Sequence, residues 1–275
     1  MTYQADPTPR VGYLDADTVI DAGFDGDMVA FIEAGAPVRR GSAVPGARLL
    51  APLRPRTLRD FLTFEGHLKN AFAGLGKDIP EEWYTVAAYY KGLPDTVIGP
   101  EAEIPWPAYT RKLDHELELA AVIGTPGRNI TPDDAYSHVF GYTIWNDMSA
   151  RDVQTRELPV GMGPGKAKDW DGSNVLGPCI ATPDELDVQD CRLTVRVNGQ
   201  RWGGDTTANM HHSFAVLIAY ASRDLTLRAG EVIGSGTATG GSGLELDRWL
   251  QPGDLIEMEA TGIGVLRNRV GHPPA

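Results

Sequence analysis

The chain is organised around one stretch, Lys112-Leu113-Asp114-His115-Glu116-Leu117-Glu118-Leu119-Ala120-Ala121-Val122-Ile123-Gly124. In a β-strand, successive side chains point to opposite faces, so Glu116 and Glu118 share one face and the leucines next to them share the other. Two carboxylates at this spacing lie roughly 7 Å apart and can converge on one cation. The pattern leaves two interpretations open: a buried pair neutralised by a divalent metal, or an edge strand whose glutamates are solvated.

Composition limits the classes of partner. The chain has 275 residues and a net charge of −12, with acidic residues spread along it. This argues against nucleic acid as a ligand, because nucleic-acid-binding proteins carry a basic patch. No apolar run approaches the roughly 18 residues of a membrane span, and the first residues lack the pattern of a secretory signal. Cys179 and Cys191 have no metal-type spacing and are expected to be reduced thiols. We therefore expect a cytoplasmic protein.

The chain divides near residue 50. Residues 1–50 alternate short apolar runs with Gly, Pro and Asp, which predicts a small N-terminal β-rich region around one helix near Asp27 to Glu33. Its expected role is to pack against the main body, residues 51–275.

The main body begins with a helical pattern. From Leu58 to Phe72, apolar residues recur at three- and four-residue steps, which predicts a helix. On such a helix Asp60 and His67 would lie two turns apart on roughly one side. A lone histidine beside a helix is usually a surface or packed residue, so this segment alone does not assign a function to His67.

Two later segments carry polar residues of interest. The run Val139 to Trp145 predicts an apolar strand, followed directly by a polar cluster that begins at Asn146 and Asp147. Such a cluster at a strand end is typical of a functional site. Leu244-Glu245-Leu246 is predicted to be one of the strands that close the chain.

Several motifs, in order, resemble the fumarylacetoacetate hydrolase family over roughly Leu58 to Val270. They are Leu113-Asp114-His115-Glu116-Leu117-Glu118, Gly141 to Gln154, Lys168-Asp169-Trp170 running to Leu176-Gly177-Pro178, Leu225 to Ile233, Gly236-Thr237, and Gly262 to Val270. The resemblance implies an α+β, mainly β fold, with a mixed β-roll or barrel catalytic domain over residues 51–275 and the small N-terminal appendage. It also implies a homodimer.

The resemblance further implies a divalent cation, Mg²⁺, Mn²⁺ or Ca²⁺. Its ligands would be Glu116, Glu118 and Asp147, and in the fumarylacetoacetase branch a fourth carboxylate, Asp60, precedes a catalytic histidine by seven residues. That histidine would be His67, and Glu245 would orient it. The family's short decarboxylases and isomerases instead carry a His and Glu on an N-terminal lid, and Glu65 near His67 leaves that arrangement open.

Other residues are placed near the metal by the same motifs. Lys168 would act in catalysis, by stabilising an oxyanion or protonating a carbanion. The expected substrate-binding residues are Arg151, Gln154, Thr237 and Tyr90, although for Tyr90 ordinary packing is an equal alternative.

Three functions compete at this point. The first is metal-dependent hydrolysis of a C–C bond in a β-diketone or acylpyruvate. The second is decarboxylation, hydration or isomerisation of a 2-oxo acid on the same fold. The third is a scaffold without catalysis, which the complete set of carboxylates and His67 disfavour. The expected partner in the first two cases is a small dicarbonyl or 2-oxo acid.

Overall fold

The computed structural model describes residues 1–16, 18–36, 41–73, 76 and 78–274. Residue 275, the end of the predicted main body, lies outside the described residues. The chain forms an α+β, mainly β fold, as the sequence predicts.

An N-terminal sheet has five strands in the order β4-β3-β2-β1-β5. These are β1 (Thr2–Tyr3), β2 (Arg10–Asp15), β3 (Thr18–Asp21), β4 (Ala43–Val44) and β5 (Leu49–Leu50). Helix α1 (Met28–Glu33) begins at its N-cap Asp27, whose side chain accepts a hydrogen bond from the Ala30 N–H. The helix buries Met28 and Phe31.

The central sheet has seven strands in the order β7-β6-β17-β11-β12-β14-β8. They are β6 (Leu58–Phe61), β7 (Tyr89–Gly92), β8 (Val97–Ile98), β11 (Leu117–Ile123), β12 (Val139–Asp147), β14 (Asn174–Ala181) and β17 (Val232–Gly234). The pairs β6/β17 and β8/β14 are parallel, and the other pairs in this sheet are antiparallel.

A second sheet and a short ribbon complete the body. The five-stranded sheet has the order β16-β15-β18-β19-β9, and the ribbon pairs β10 with β13. Their bounds are β9 (Glu103–Ile104), β10 (Leu113–Asp114), β13 (Ser149–Ala150), β15 (Leu193–Val197), β16 (Gln200–Gly203), β18 (Leu255–Ala260) and β19 (Gly264–Val270).

The remaining helices are short. They are α2 (Glu65–Ala73), α3 (Arg151–Glu157) and α4 (Phe214–Ala221). Single 3₁₀ turns occur at Glu81–Tyr84, Pro94–Thr96, Ala135–His138, Leu158–Val160, Lys166–Lys168, Thr207–Asn209 and Leu244–Leu246. Within the described ranges, no helix combines the length and the apolar character that crossing a membrane requires.

Strand β11 is the middle strand of the central sheet and is buried along its whole length. Leu117 and Leu119 face the larger core cluster, whereas Ala120 and Val122 face a second cluster that includes Trp145. Glu118 is on the same face as Ala120, and it is fully buried. The edge-strand interpretation of the glutamate pair is therefore wrong.

Two segments differ from the sequence-based prediction. Leu58–Phe61 is a buried strand, and the helix begins only at Glu65. The apolar spacing of Leu58 and Phe61 suits a helix, but in the strand both faces are buried, so alternation is lost. Leu244–Leu246, predicted to be a strand, is a 3₁₀ turn.

Candidate active site

Three carboxylates converge where strands of the central sheet lie side by side. Asp60 comes from β6, Glu118 from β11 and Asp147 from the end of β12. One oxygen of each lies within 4.8 Å of the others, and all three side chains are buried. We call Asp60, Glu118 and Asp147 the carboxylate triad.

A glycine makes room for the triad. Strand β17 lies between β6 and β11, and its residue Gly234 pairs with Asp60. A Cβ atom at Gly234 would lie 2.5 Å from Asp60 Oδ1 and 2.7 Å from the ring of Trp145. Any side chain at this position would therefore displace the Asp60 carboxylate.

The triad is strained electrostatically without a cation. Burial, followed by repulsion from neighbouring carboxylates, raises the pKa of Asp60 and of Glu118 well above their ordinary values. Burial also raises the pKa of Asp147 to about 6, although Lys168 opposes the shift. Within the described part of the chain, Glu118 Oε2 and Asp147 Oδ1 are buried without a hydrogen-bond partner.

These features fit a hard divalent cation. An all-oxygen donor set is what Mg²⁺, Mn²⁺ and Ca²⁺ prefer, and the two unpartnered oxygens are free to act as ligands. A bound cation would also favour the charged form of all three carboxylates, and would so oppose the burial and repulsion that raise their pKa values.

Glu116, predicted to be a ligand with Glu118, lies outside the triad. It precedes β11 and forms an isolated bridge with Ser242. Its Oε1 accepts a hydrogen bond from Arg151 Nη2 at 2.6 Å, and its Oε2 accepts one from Lys168 Nζ at 2.5 Å. Burial alone would raise the pKa of Glu116, but Arg151, Lys168 and His67 hold it far below its ordinary value. Its role as a metal ligand stays a prediction.

Lys168 brings positive charge to the triad. It ends the turn Lys166–Lys168 and is buried. Its Nζ lies 2.5 Å from Asp147 Oδ2 and donates to Ser149 Oγ at 2.9 Å. Burial opposes the charged form, but Asp147 and Glu116 outweigh that effect and raise the pKa of Lys168 above its ordinary value. The ammonium group is therefore kept charged.

His67 and Glu245 form a pair, as the resemblance implies. His67, on α2, is 6% exposed, and its Nδ1 lies 2.8 Å from Glu245 Oε1. Burial would raise the pKa of Glu245, but hydrogen bonds, first that of His67, lower it. Asp60 and His67 do not share a helix, since Asp60 lies on β6.

Glu245 is held from several directions. It accepts hydrogen bonds from Ser242 Oγ, Asn70 Nδ2 and the Gly240 N–H, at 3.0, 2.9 and 2.8 Å. Glu65, the alternative partner on the lid, instead accepts from Tyr84 Oη at 2.7 Å and pairs with Lys69.

The predicted substrate-binding residues surround the triad and Glu116. Tyr90 Oη donates to Asp147 Oδ2 at 2.5 Å, and Thr237 Oγ1 lies 3.5 Å from Glu118 Oε1. Arg151 donates from Nη1 to Gln154 Oε1 at 2.9 Å. In this arrangement Tyr90 and Arg151 orient carboxylates of the site.

Sequence reasoning did not single out Asp114 and Ser149, both of which are fully buried. Asp114 accepts from Arg151 Nε at 2.8 Å, and Ser149 contacts Lys168. Their only signal in the sequence is adjacency to the predicted residues within the same motifs.

The chain matches known proteins over most of its length. Residues 56–271 match the family model described as fumarylacetoacetate (FAA) hydrolase, C-terminal. Oxaloacetate tautomerase YisK of Bacillus subtilis is 38% identical over 164 residues, which are 59% of this chain and 53% of that protein. The chain thus spans about half the length of this curated relative.

Two solved structures are similar throughout. Fumarylacetoacetate hydrolase (EaFAH) of Exiguobacterium antarcticum is 31% identical, with a TM-score of 0.83 and 98% of each chain covered. The 5-carboxymethyl-2-hydroxymuconate delta-isomerase of Mycobacterium smegmatis is 28% identical, with a TM-score of 0.80 and the same coverage.

Proposed function

Because this chain belongs to the fumarylacetoacetate hydrolase family, we propose that it is a divalent-metal-dependent enzyme that interconverts tautomers or isomers of a 2-oxo acid. One observation carries the proposal: a histidine–carboxylate pair, His67 with Glu245, lies near Glu116, and Lys168 joins Glu116 to a buried carboxylate triad that has unpartnered oxygens. The names of similar proteins, a tautomerase of oxaloacetate and an isomerase, support this class of reaction.

The triad residues Asp60, Glu118 and Asp147, with Glu116 as the further predicted ligand, would hold the cation. When bound, the cation supplies Lewis acidity, which polarises a carbonyl oxygen and makes the neighbouring C–H group more acidic.

His67 would be the general base. Because Nδ1 faces the Glu245 carboxylate at 2.8 Å, the proton of the neutral ring resides on Nδ1 and Nε2 carries the lone pair. Nε2 would take the proton from the carbon beside the ketone, and Glu245 would stabilise the resulting imidazolium. Returning this proton to oxygen or to another carbon completes a tautomerisation or an isomerisation.

Lys168 would stabilise the negative charge that develops on the substrate oxygen. Its ammonium is buried and already oriented by Asp147 and Ser149, so little reorganisation accompanies the charge shift. Arg151, Gln154 and Thr237 are proposed to contact the substrate, and Tyr90 to do so while holding Asp147.

C–C bond hydrolysis, the activity that the sequence analysis favoured, is the second candidate. It is favoured by the similarity to EaFAH and by the presence of Asp60 in the triad together with the His67–Glu245 pair. In this case His67 would deprotonate a water molecule, whose oxygen attacks a ketone. The C–C bond then breaks, the electron pair leaves as an enolate that is protonated, and two fragments result.

An assay of oxaloacetate and a panel of acylpyruvates, each with Mg²⁺ or Mn²⁺, tests the proposal. Tautomerisation removes the enol absorbance without loss of carbon, hydrolysis yields two fragments, and decarboxylation yields CO₂. His67→Asn should abolish the activity, whereas His138→Asn, at a half-buried histidine whose Nδ1 lies 2.8 Å from the Thr125 carbonyl oxygen, is the matched control. Full activity in chelator-treated protein, or in His67→Asn, would refute the proposal.

Two further proposals concern the assembly of the protein and its division into domains. We propose that the protein is a homodimer, and that residues 1–50 form a small N-terminal region that packs against a catalytic domain over residues 51–275. Sedimentation would test the homodimer, and expression of residues 51–275 alone would test the division into domains.

A further inference from the structure

One buried carboxylate, that of Asp114, links two parts of the site: the Arg151–Glu116 pair and the turn that carries Glu245. Asp114, in β10, has no exposed surface, and its hydrogen bonds go in two directions. On one side, Oδ2 accepts from Arg151 Nε at 2.8 Å, and the same guanidinium donates to Glu116. On the other side, Oδ1 accepts from the Gly243 N–H at 2.8 Å and Oδ2 from the Leu244 N–H at 3.1 Å.

These two backbone groups belong to the turn that carries Glu245. Leu244 immediately precedes Glu245, so the Asp114 carboxylate fixes the start of the turn from which Glu245 reaches His67. None of the hydrogen bonds found for Asp114 in the described residues goes to His67 or to the carboxylate triad. Asp114 therefore acts through other residues.

The packing of Gly243 supports a direct contact between the Asp114 carboxylate and the turn that carries Glu245. Its φ of −66° is accessible to any residue, so no conformational requirement explains the glycine. A Cβ atom there would lie 2.7 Å from Asp114 Oδ1 and 2.1 Å from the Arg248 carbonyl oxygen. Glycine is thus needed for space, because the turn packs against both the Asp114 carboxylate and the Arg248 carbonyl group.

We propose that Asp114 is a positioning residue. It holds the His67–Glu245 pair and the Arg151–Glu116 pair at fixed positions relative to each other. This inference rests on the proposed function, in which His67 is the base and Glu116 contributes to the metal site. An asparagine at position 114 would offer one acceptor oxygen and a donor NH₂ group, so it could not accept hydrogen bonds from Arg151 and from both backbone N–H groups of the turn. Both parts of the site should then shift relative to each other.

The first test is the near-isosteric variant Asp114→Asn, compared with Asp152→Asn. Asp152 also accepts hydrogen bonds from backbone N–H groups, those of Arg111 and Val153, but in the described part of the chain its carboxylate forms no hydrogen bond with the Arg151 guanidinium. We expect Asp114→Asn to lower kcat about 10–100-fold and to weaken Mn²⁺ binding, measured by calorimetry, by a similar factor, as is typical of residues that orient metal ligands. Asp152→Asn should change neither.

A second variant changes the contact between Asp114 and the turn on the side of the turn. Gly243→Ala should lower kcat by a larger factor than Mn²⁺ affinity, because its Cβ would meet the Arg248 carbonyl oxygen and Asp114 Oδ1 on the side that leads to Glu245, whereas Arg151 binds Oδ2. It also keeps the inference testable if Asp114→Asn does not fold. Equal losses of Mn²⁺ affinity in both variants would indicate general loosening and would overturn the proposal.

A double-mutant cycle separates this inference from the proposed function. In a Glu245→Gln background, Asp114→Asn should lower kcat much less than in the wild type, while its effect on Mn²⁺ affinity persists. If Glu245→Gln itself lowers kcat but the two effects multiply fully, the positioning role is wrong and the base assignment survives. If Glu245→Gln and His67→Asn both leave kcat unchanged, the proposed function is wrong, and so is the positioning role of Asp114.

Discussion

The variant Glu118→Gln should separate two effects of the Glu118 carboxylate: the loss of folding stability caused by its burial, and its contribution to metal binding. Glu118 is fully buried in β11, and burial followed by repulsion from Asp60 and Asp147 raises its pKa well above the ordinary value. A group whose pKa is raised on folding contributes stability that is fully present below its unfolded pKa and is lost as pH rises through the folded pKa. Metal-free wild-type protein should therefore lose stability as pH rises above the ordinary pKa of a glutamate and through the raised pKa of Glu118, and the variant should lose less.

The magnitudes follow from the geometry of the triad. Ligand oxygens within 4.8 Å of one another repel by about 3–4 kcal/mol per ionised pair at an effective dielectric constant of about 20. Metal at about 100 times its dissociation constant stabilises the folded state by about 2.7 kcal/mol, which corresponds to about 5–10 °C in Tm for a chain of this size. If losing one ligand weakens binding about 100-fold, the same metal concentration gives about 0.4 kcal/mol, or 1–2 °C.

Thermal unfolding with and without Mn²⁺, at several pH values, measures both effects. We expect Glu118→Gln to be at least as stable as the wild type without metal at alkaline pH, and to show almost no metal-induced rise in Tm. Glu259→Gln, a surface glutamate paired with Arg196, is the control and should retain the full rise. A wild-type metal response in Glu118→Gln would refute the assignment, and so would a large loss of stability without metal.

Three other outcomes are expected. His67→Ala should lower kcat by about 10²–10⁴-fold, the range for a positioned base, and should leave Mn²⁺ affinity intact. Adding Glu245→Gln to this variant should lower kcat little further. If the two effects on kcat multiply fully in steady-state kinetics, the two residues do not act in the same step. Lys168→Met leaves Asp147 without its cationic partner and Glu116 with Arg151 alone. The metal-free protein should therefore lose about 3–5 kcal/mol in denaturant unfolding and regain stability with Mn²⁺, and unchanged stability would contradict the buried ion pairs. Tyr90→Phe removes the hydrogen bond to Asp147 and should weaken Mn²⁺ binding about 10-fold, and calorimetry that shows no change would exclude a positioning role.

Short-range patterns predicted part of this structure. The apolar run of β12 and the polar residues after it were correctly located, and the mainly β class is confirmed. The alternation of Glu116 and Glu118 placed both side chains near the site, but it could not show that Arg151 and Lys168 neutralise Glu116. Those partners lie more than 30 residues away along the chain, and no local pattern encodes them.

Strand β6 shows why the rest could not be predicted. It buries the charged residues Arg59 and Asp60, which a single sequence suggests are exposed. Each is accommodated by a distant residue, since Arg59 pairs with Glu231 and Asp60 joins the triad. The roles of His67, Glu245 and the substrate-binding residues stay predictions, because an arrangement of side chains does not report turnover.

The parallel pairing of β6 with β17 has a consequence for how the protein folds. Leu58 pairs with Val232, so closing this register joins segments separated by most of the domain. Contacts of such high sequence separation form slowly, because the chain entropy of the intervening loop is lost before the contact stabilises anything. Asp60 reaches the triad only after this closure. In a refolding experiment, tight Mn²⁺ uptake should therefore lag behind the recovery of β-sheet circular dichroism and mark the final step.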